Sequence, residues 1–198
     1  MERLEALSKI ITILAAIFGG AKFFIELKRG NRQKEVEFRW KKAELAREIL
    51  DEMFTDQQSR SALRMLDWDG RSYEPAPGLK FEITSRMVLA GLRIEQCQSC
   101  PGEQVVHDGG ERLKFTPEEQ FVRDCFERLY DMTDSIEHFI RCGLLVDEDV
   151  MRPLAYYAAC IAAHKTVHQR FWDTYGYELT LAFFGRFKEF NDPAEIRR

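Results

Sequence analysis

Two thiols two residues apart, in the run Cys97-Gln98-Ser99-Cys100, are the side chains best spaced for chemistry in this sequence. Such a pair fits one edge of a tetrahedral zinc site. His107 follows closely enough to serve as a third ligand. No second CxxC completes the set, and a lone CxxC is a weak signal. Thioredoxin-like redox work would place the pair at a helix start after a strand, within an α/β pattern that this sequence lacks. Two loop cysteines without metal are the simpler reading, and no cofactor is expected.

His164 and His168 stand four apart on what reads as one helix, a spacing that can chelate a metal. Lys165, Thr166 and Val167 lie between them, so the HExxH pattern of metalloproteases is absent. They share a stripe with Tyr157, Ile161 and Phe171, which favours packed histidines. His138 adjoins the Phe139 stripe of another helix and reads as structural or exposed. Asp67-Trp68-Asp69-Gly70-Arg71 offers two carboxylates, but an EF-hand needs more oxygens and a closing Glu. Turn chemistry explains Asp69 and Gly70, and Trp68 is expected to anchor the core. Asp147-Glu148-Asp149 suits the start of a helix, where negative charge is stabilising. Nucleophile elbows, P-loops and dinucleotide glycine fingerprints are absent. The expectation is a protein that is not an enzyme. The alternative is a metal-dependent or thiol enzyme using Cys97, Cys100 and the histidines.

The elements that must position these residues follow from composition and periodicity. The 198 residues are 45% hydrophobic and include fifteen Phe, enough to fill the core of one domain. Charged residues make up 31% and both signs are interspersed, which argues against disorder. A net charge of -4 argues against a general nucleic-acid partner. Five cysteines, an odd number, do not read as a disulfide framework. A reducing compartment is expected for the main domain.

Ile10 to Ala21 is an uncharged run, and Phe23-Phe24-Ile25 resumes it after Lys22. Ile10 to Ile25 spans roughly 24 Å as helix, short against a bilayer core of about 30 Å. Lys9 and Lys22 can snorkel, so that a helix from Leu4 to Leu27 reaches across. We expect a transmembrane anchor here; a helix buried in the protein or in an oligomer competes with it, and a cleaved signal peptide fits less well. Lys22, Lys28, Arg29, Arg32 and Lys34 cluster at its C-terminal end. The positive-inside rule then places the N-terminus outside and the main domain in the cytoplasm, single-pass in the inner membrane. The same cluster would meet lipid headgroups, or form an ordinary solvated face. Ala15 with Gly19, and Ala16 with Gly20, permit close approach of two helices and thus a homo-oligomer.

Beyond a break at Gly30-Asn31, Arg32 to Phe54 reads as an amphipathic helix with Val36, Trp40, Ala43, Leu50 and Phe54 on one apolar side. Thr55-Asp56 is a turn, and Ser59 to Trp68 a short helix. Pro75 and Pro77 make Arg71 to Gly78 a loop, followed by a brief extended piece from Lys80 to Ile83. Thr84 caps a helix of Ser85 to Glu95, and Gln96 to Lys114 reads as a mobile loop or hairpin. Thr116-Pro117-Glu118-Glu119 is a capping box opening a helix to about Cys142, stopped by Gly143. Asp147 caps the next, which Pro153 kinks or restarts. From Leu154 a regular pattern runs through His164 and His168 to Phe171. Tyr175-Gly176 is a turn. Leu179 to Phe190 suggests a last helix, though Tyr177 to Phe183 also alternates like a strand.

This layout resembles a family of small uncharacterised bacterial proteins classed only as a domain of unknown function. The likeness rests on the hydrophobic N-terminal helix, the basic helix leading to Phe54-Thr55-Asp56, and Met65-Leu66-Asp67-Trp68. Cys142-Gly143-Leu144-Leu145 and Pro153-Leu154-Ala155-Tyr156-Tyr157 extend it over nearly the whole chain. It implies architecture and anchoring and brings no catalytic residues. The expected fold is all-α: an anchor over residues 1–29 and a bundle of about six helices over residues 30–198. The expected role is a membrane-tethered interaction or regulatory protein, perturbing the bilayer as an effector in one variant. Its partners would be lipids, a second copy and an unidentified protein.

Overall fold

The computed structural model describes residues 2–94 and 115–191, with the backbone alone for residues 2–25, 27, 189 and 191. Helix α1 runs from Glu2 to Thr55 without a break at Gly30-Asn31. A glycine inside a helix costs only about 1 kcal/mol against Ala, and the flanking Arg, Gln, Lys and Glu are good helix formers. Glu37 and Lys41 pair at 4.0 Å, and the Lys42 ammonium lies 4.6 Å from the Phe38 ring centre. The chain divides into two units, Met1–Glu44 and Leu45–Arg198.

In the second unit the end of α1 buries Ala46, Leu50 and Met53 in the core. Helix α2 (Gln57–Asp67) follows at once, capped by Asp56, which accepts from the Ser59 N–H at 2.9 Å. Where a loop was expected, β1 (Arg71–Ala76) and β2 (Leu79–Ile83) form an antiparallel hairpin with Tyr73 opposite Phe81. Proline lacks a ladder donor and is tolerated on an edge strand. Pro75 lies in β1 at an irregularity in the pairing between Tyr73 and Ala76. Tyr73, Phe81 and Ile83 alternate inward. Trp68 does not anchor the core: it is 53% exposed, with the Arg71 guanidinium stacked 4.0 Å over its ring.

Thr84 caps α3 (Ser85–Gly91), which is shorter than expected. Helix α4 (Pro117–Arg141) opens with the full capping box: Thr116 Oγ accepts from the Glu119 N–H, and Glu119 accepts from the Thr116 N–H. It closes at Cys142, after which Gly143 turns into the left-handed region at φ +69°. Its inward face carries Cys125, Leu129, Met132 and Ile136, as the spacing requires. Helix α5 (Asp147–Ala163) starts on a Val146 cap and passes through Pro153 as one helix. α6 (Lys165–Tyr175), α7 (Glu178–Phe184) and α8 (Lys188–Asn191) complete the unit. The alternation around Leu179 is therefore helical. Trp172 stacks flat on Phe184 at 5.2 Å and lies 5.9 Å from Phe190, so the C-terminal phenylalanines close the core. The described chain is a mostly helical bundle with one hairpin.

Candidate functional site

Helix α5 repeats small and polar residues on one side: Tyr156, Ala159, Cys160 and Ala163 fall at the three-four spacing of a single helical face. That face, with α2, α3 and the start of α6, lines a half-open cavity of about 370 Å³. Met65, Leu66, Val88, Leu89, Ala159 and Ala163 make its apolar wall. Ser85, Tyr156, Cys160, His164 and His168 supply its polar atoms. The Tyr156 hydroxyl donates a short hydrogen bond to the Asp67 carboxylate at the end of α2. At the first residue of α3, the Ser85 N–H donates to Asp69 at 2.6 Å.

The protons of this site are held where they are. The hydrogen bond to Asp67 and the neighbouring Cys160 push the Tyr156 phenol well above its ordinary range. Burial pushes the Cys160 thiol up, against the opposing effect of its hydrogen bond with Tyr156. His168 is fully buried, which pulls it down to about 3, helped by His164 beside it. Its Nδ1 lies 2.7 Å from the Tyr130 hydroxyl, itself buried and pushed far up. Cys160 is thus a thiol, Tyr156 a phenol and His168 a neutral imidazole. These are hydrogen-bonding groups; nucleophilic catalysis needs a thiolate or a hydroxyl paired with a working base. The arrangement suits binding.

Of the two histidines expected to pack on one helix, His168 is buried and hydrogen-bonded to Tyr130, but the two do not share a helix. His164 is not within a helix: at φ -121° and ψ 31° it ends α5 and precedes α6. Among the described residues no three His, Cys, Asp or Glu side chains gather as a metal site. Cys97, Cys100 and His107 lie outside the described residues. Asp67 and Asp69 do not act as a pair, since each is taken by a different donor. Tyr156 and Cys160 were missed in the sequence, although their four-residue spacing was readable; attention fell on Tyr157 next door.

The N-terminal candidates divide differently. Ala15, Ala16, Gly19, Gly20 and Lys22 belong to α1, but their side chains lie outside those described. Lys28, Arg29 and Arg32 are exposed. Val36 and Trp40, expected to pack, are 59% and 74% exposed, and Ala43 is exposed too. The apolar stripe finds a covered partner only from Ala46 onward. Among the described residues no helix is long and apolar enough to cross a membrane; the side chains of Ile10 to Ile25 are not among them. Charge separates sharply along the chain. Residues 1–44 hold ten Lys and Arg against six Asp and Glu, leaving nineteen against twenty-seven for residues 45–198.

No family model, no curated protein and no solved structure matches this chain.

Proposed function

We propose that this chain is a helical interaction or regulatory protein, held at a membrane through residues 1–29, and that it performs no catalysis. The observation that carries this reading is the state of α1 between Glu26 and Glu44. Nearly every described side chain there is exposed, including Phe38 and Trp40. A helix gains most of its stability in proteins from packing an apolar face, so this stretch calls for a surface beyond the described residues. Its excess of Lys and Arg favours anionic headgroups, while the acidic second unit is repelled by them. The uncharged run from Ile10 to Ala21 lies just upstream and would supply the apolar insertion. Orientation by positive charge puts Leu45–Arg198 in the cytoplasm. Self-association would use Ala15, Ala16, Gly19 and Gly20, with lipids and an unidentified protein as further partners.

The thiol-enzyme alternative draws no support from Cys160, whose proton is held by burial. Alkaline carbonate extraction tests the proposal, applied to membranes from cells making the full chain or a variant lacking residues 1–29. Retention of the full chain in the pellet and release of the variant supports the tether. Release of both ends the membrane reading and returns the helix to an oligomer contact.

A further inference from the structure

We propose that the cavity between α2, α3 and α5 binds a small organic cation, a primary amine on an apolar body. Its volume of about 370 Å³ falls at the small end of ligand pockets. At about 30 Å³ for each water-sized group it holds roughly a dozen non-hydrogen atoms. The body is set by the wall, where Met65, Leu66, Val88 and Leu89 face Ala159 and Ala163. Alanines on the α5 side leave the room that larger residues would fill.

The head is set by charge and by the direction of the hydrogen bonds. No Lys or Arg is among the described residues lining the cavity. Arg64 lies in the last turn of α2, and Arg71, just after that helix, stacks on the Trp68 ring. Two carboxylates stand behind the polar edge, Asp67 behind Tyr156 and Asp69 behind Ser85. Tyr156 spends its only proton on Asp67, so its oxygen can only accept: the Cys160 thiol takes one lone pair and the other is left for a ligand. A phenol donating to a carboxylate is polarised into a stronger acceptor. Ser85, whose side chain also hydrogen-bonds Asp69, and His164 line the same cavity. An anionic head would meet two carboxylates, and no lining Lys or Arg among the described residues offsets them. An ammonium meets an acceptor backed by negative charge, a charge-assisted bond of the stronger kind. This inference stands apart from the membrane reading, since every residue in it belongs to the second unit.

The test uses three probes with one body and three heads: phenethylamine, phenethyl alcohol and phenylpropanoate. Cys160 lies in the wall, so a bound probe should slow its alkylation by iodoacetamide, read at the Cys160 peptide by mass spectrometry on the full chain at neutral pH. Saturable protection by the amine is expected, about tenfold tighter than the alcohol, with none from the carboxylate. Tyr156→Phe keeps the ring and removes the acceptor; amine and alcohol should then protect alike. Ala159→Phe should fill the cavity and end protection by all three. Circular dichroism and melting of each variant establish that it is folded. If Tyr156→Phe fails to fold, Asp67→Asn provides the same comparison by removing the charge behind the phenol. Equal protection by all three heads, protection by the carboxylate, no saturable effect of the amine, or protection that survives Ala159→Phe would overturn the proposal.

Discussion

Arg186 grips Glu137 with two parallel hydrogen bonds, Nε to Oε2 at 2.7 Å and Nη2 to Oε1 at 2.9 Å, across 49 residues of sequence. The Glu137 side chain is 1% exposed, and Arg141 one turn along α4 adds a third bond at 2.8 Å. Asp147 engages the free edge of the same guanidinium at 2.9 Å. The cluster ties α4 to the turn after α7 and to the start of α5. Burial opposes ionisation of Glu137, but the two arginines outweigh it and hold the carboxyl below its usual range. Arg186→Met should cost about 3 kcal/mol, because it strands most of a buried charge. Adding Glu137→Gln should recover part of that loss in urea denaturation. With a depressed folded pKa, the pair's contribution is present above the unfolded value of about 4.3 and is lost as pH falls through the folded one.

Acid should act earlier through His168. Its folded value of about 3 lies far below the ordinary histidine value. Unfolded chains take up a proton below about pH 6.5 and the folded chain does not. Stability should therefore fall as pH drops from about 6.5 toward 3, by at most about 1.4 kcal/mol per pH unit. The double variant Tyr130→Phe with His168→Phe removes both partners of the buried bond, and its melting temperature should vary less over that window. An unchanged acid slope would show that other groups set it.

Helix α3 meets α4 at a point with no room for a methyl group. A Cβ at Gly91 would sit 2.8 Å from the Glu119 carbonyl oxygen and 2.9 Å from Val122 Cγ1. The oxygen is backbone, in the first turn of α4, and cannot swing aside. Gly91→Ala should thus destabilise by about 1–3 kcal/mol despite the better helix propensity of Ala. Thermal unfolding against the parent protein measures it.

The Tyr73 hydroxyl is buried without a hydrogen-bond partner among the described residues, and burial pushes its proton affinity up. The ring is useful, lying 6.1 Å from Phe121. Tyr73→Phe keeps that contact and removes an unmet polar group, so it should be neutral or stabilising by about 1 kcal/mol. A clear loss of stability on chemical denaturation would reveal a bond that the phenol makes after all.

Local signals were the readable ones. Thr116 and Glu119 announce their capping box because both bonds lie within three residues. The α4 face from Cys125 to Ile136 follows from spacing alone. Distances across the chain were not readable. Val36 and Trp40 share the stripe of Leu50 and Phe54, and periodicity fixes which side is apolar but not where its partner ends. His164 and His168 keep a helical spacing across a junction, because the residues on either side continue the pattern. Pro75 read as a loop marker when it is equally at home on an edge strand. The cavity escaped notice because Asp67 and Tyr156 are 89 residues apart, and neither forms a recognisable motif by itself.

The hairpin has a consequence for how this protein keeps to itself in a crowded cell. A sheet of two strands has two outer edges, and open edges invite another chain to add a strand. Here Pro75 withholds a donor, and the irregular pairing between Tyr73 and Ala76 spoils a regular ladder. The Gln57 amide covers the carbonyls of Glu74 and Pro75, at 3.1 and 3.4 Å. Glu74, Lys80 and Glu82 add charge outside. The same proline that hides the hairpin from a sequence reader also makes it a poor template for edge-to-edge aggregation.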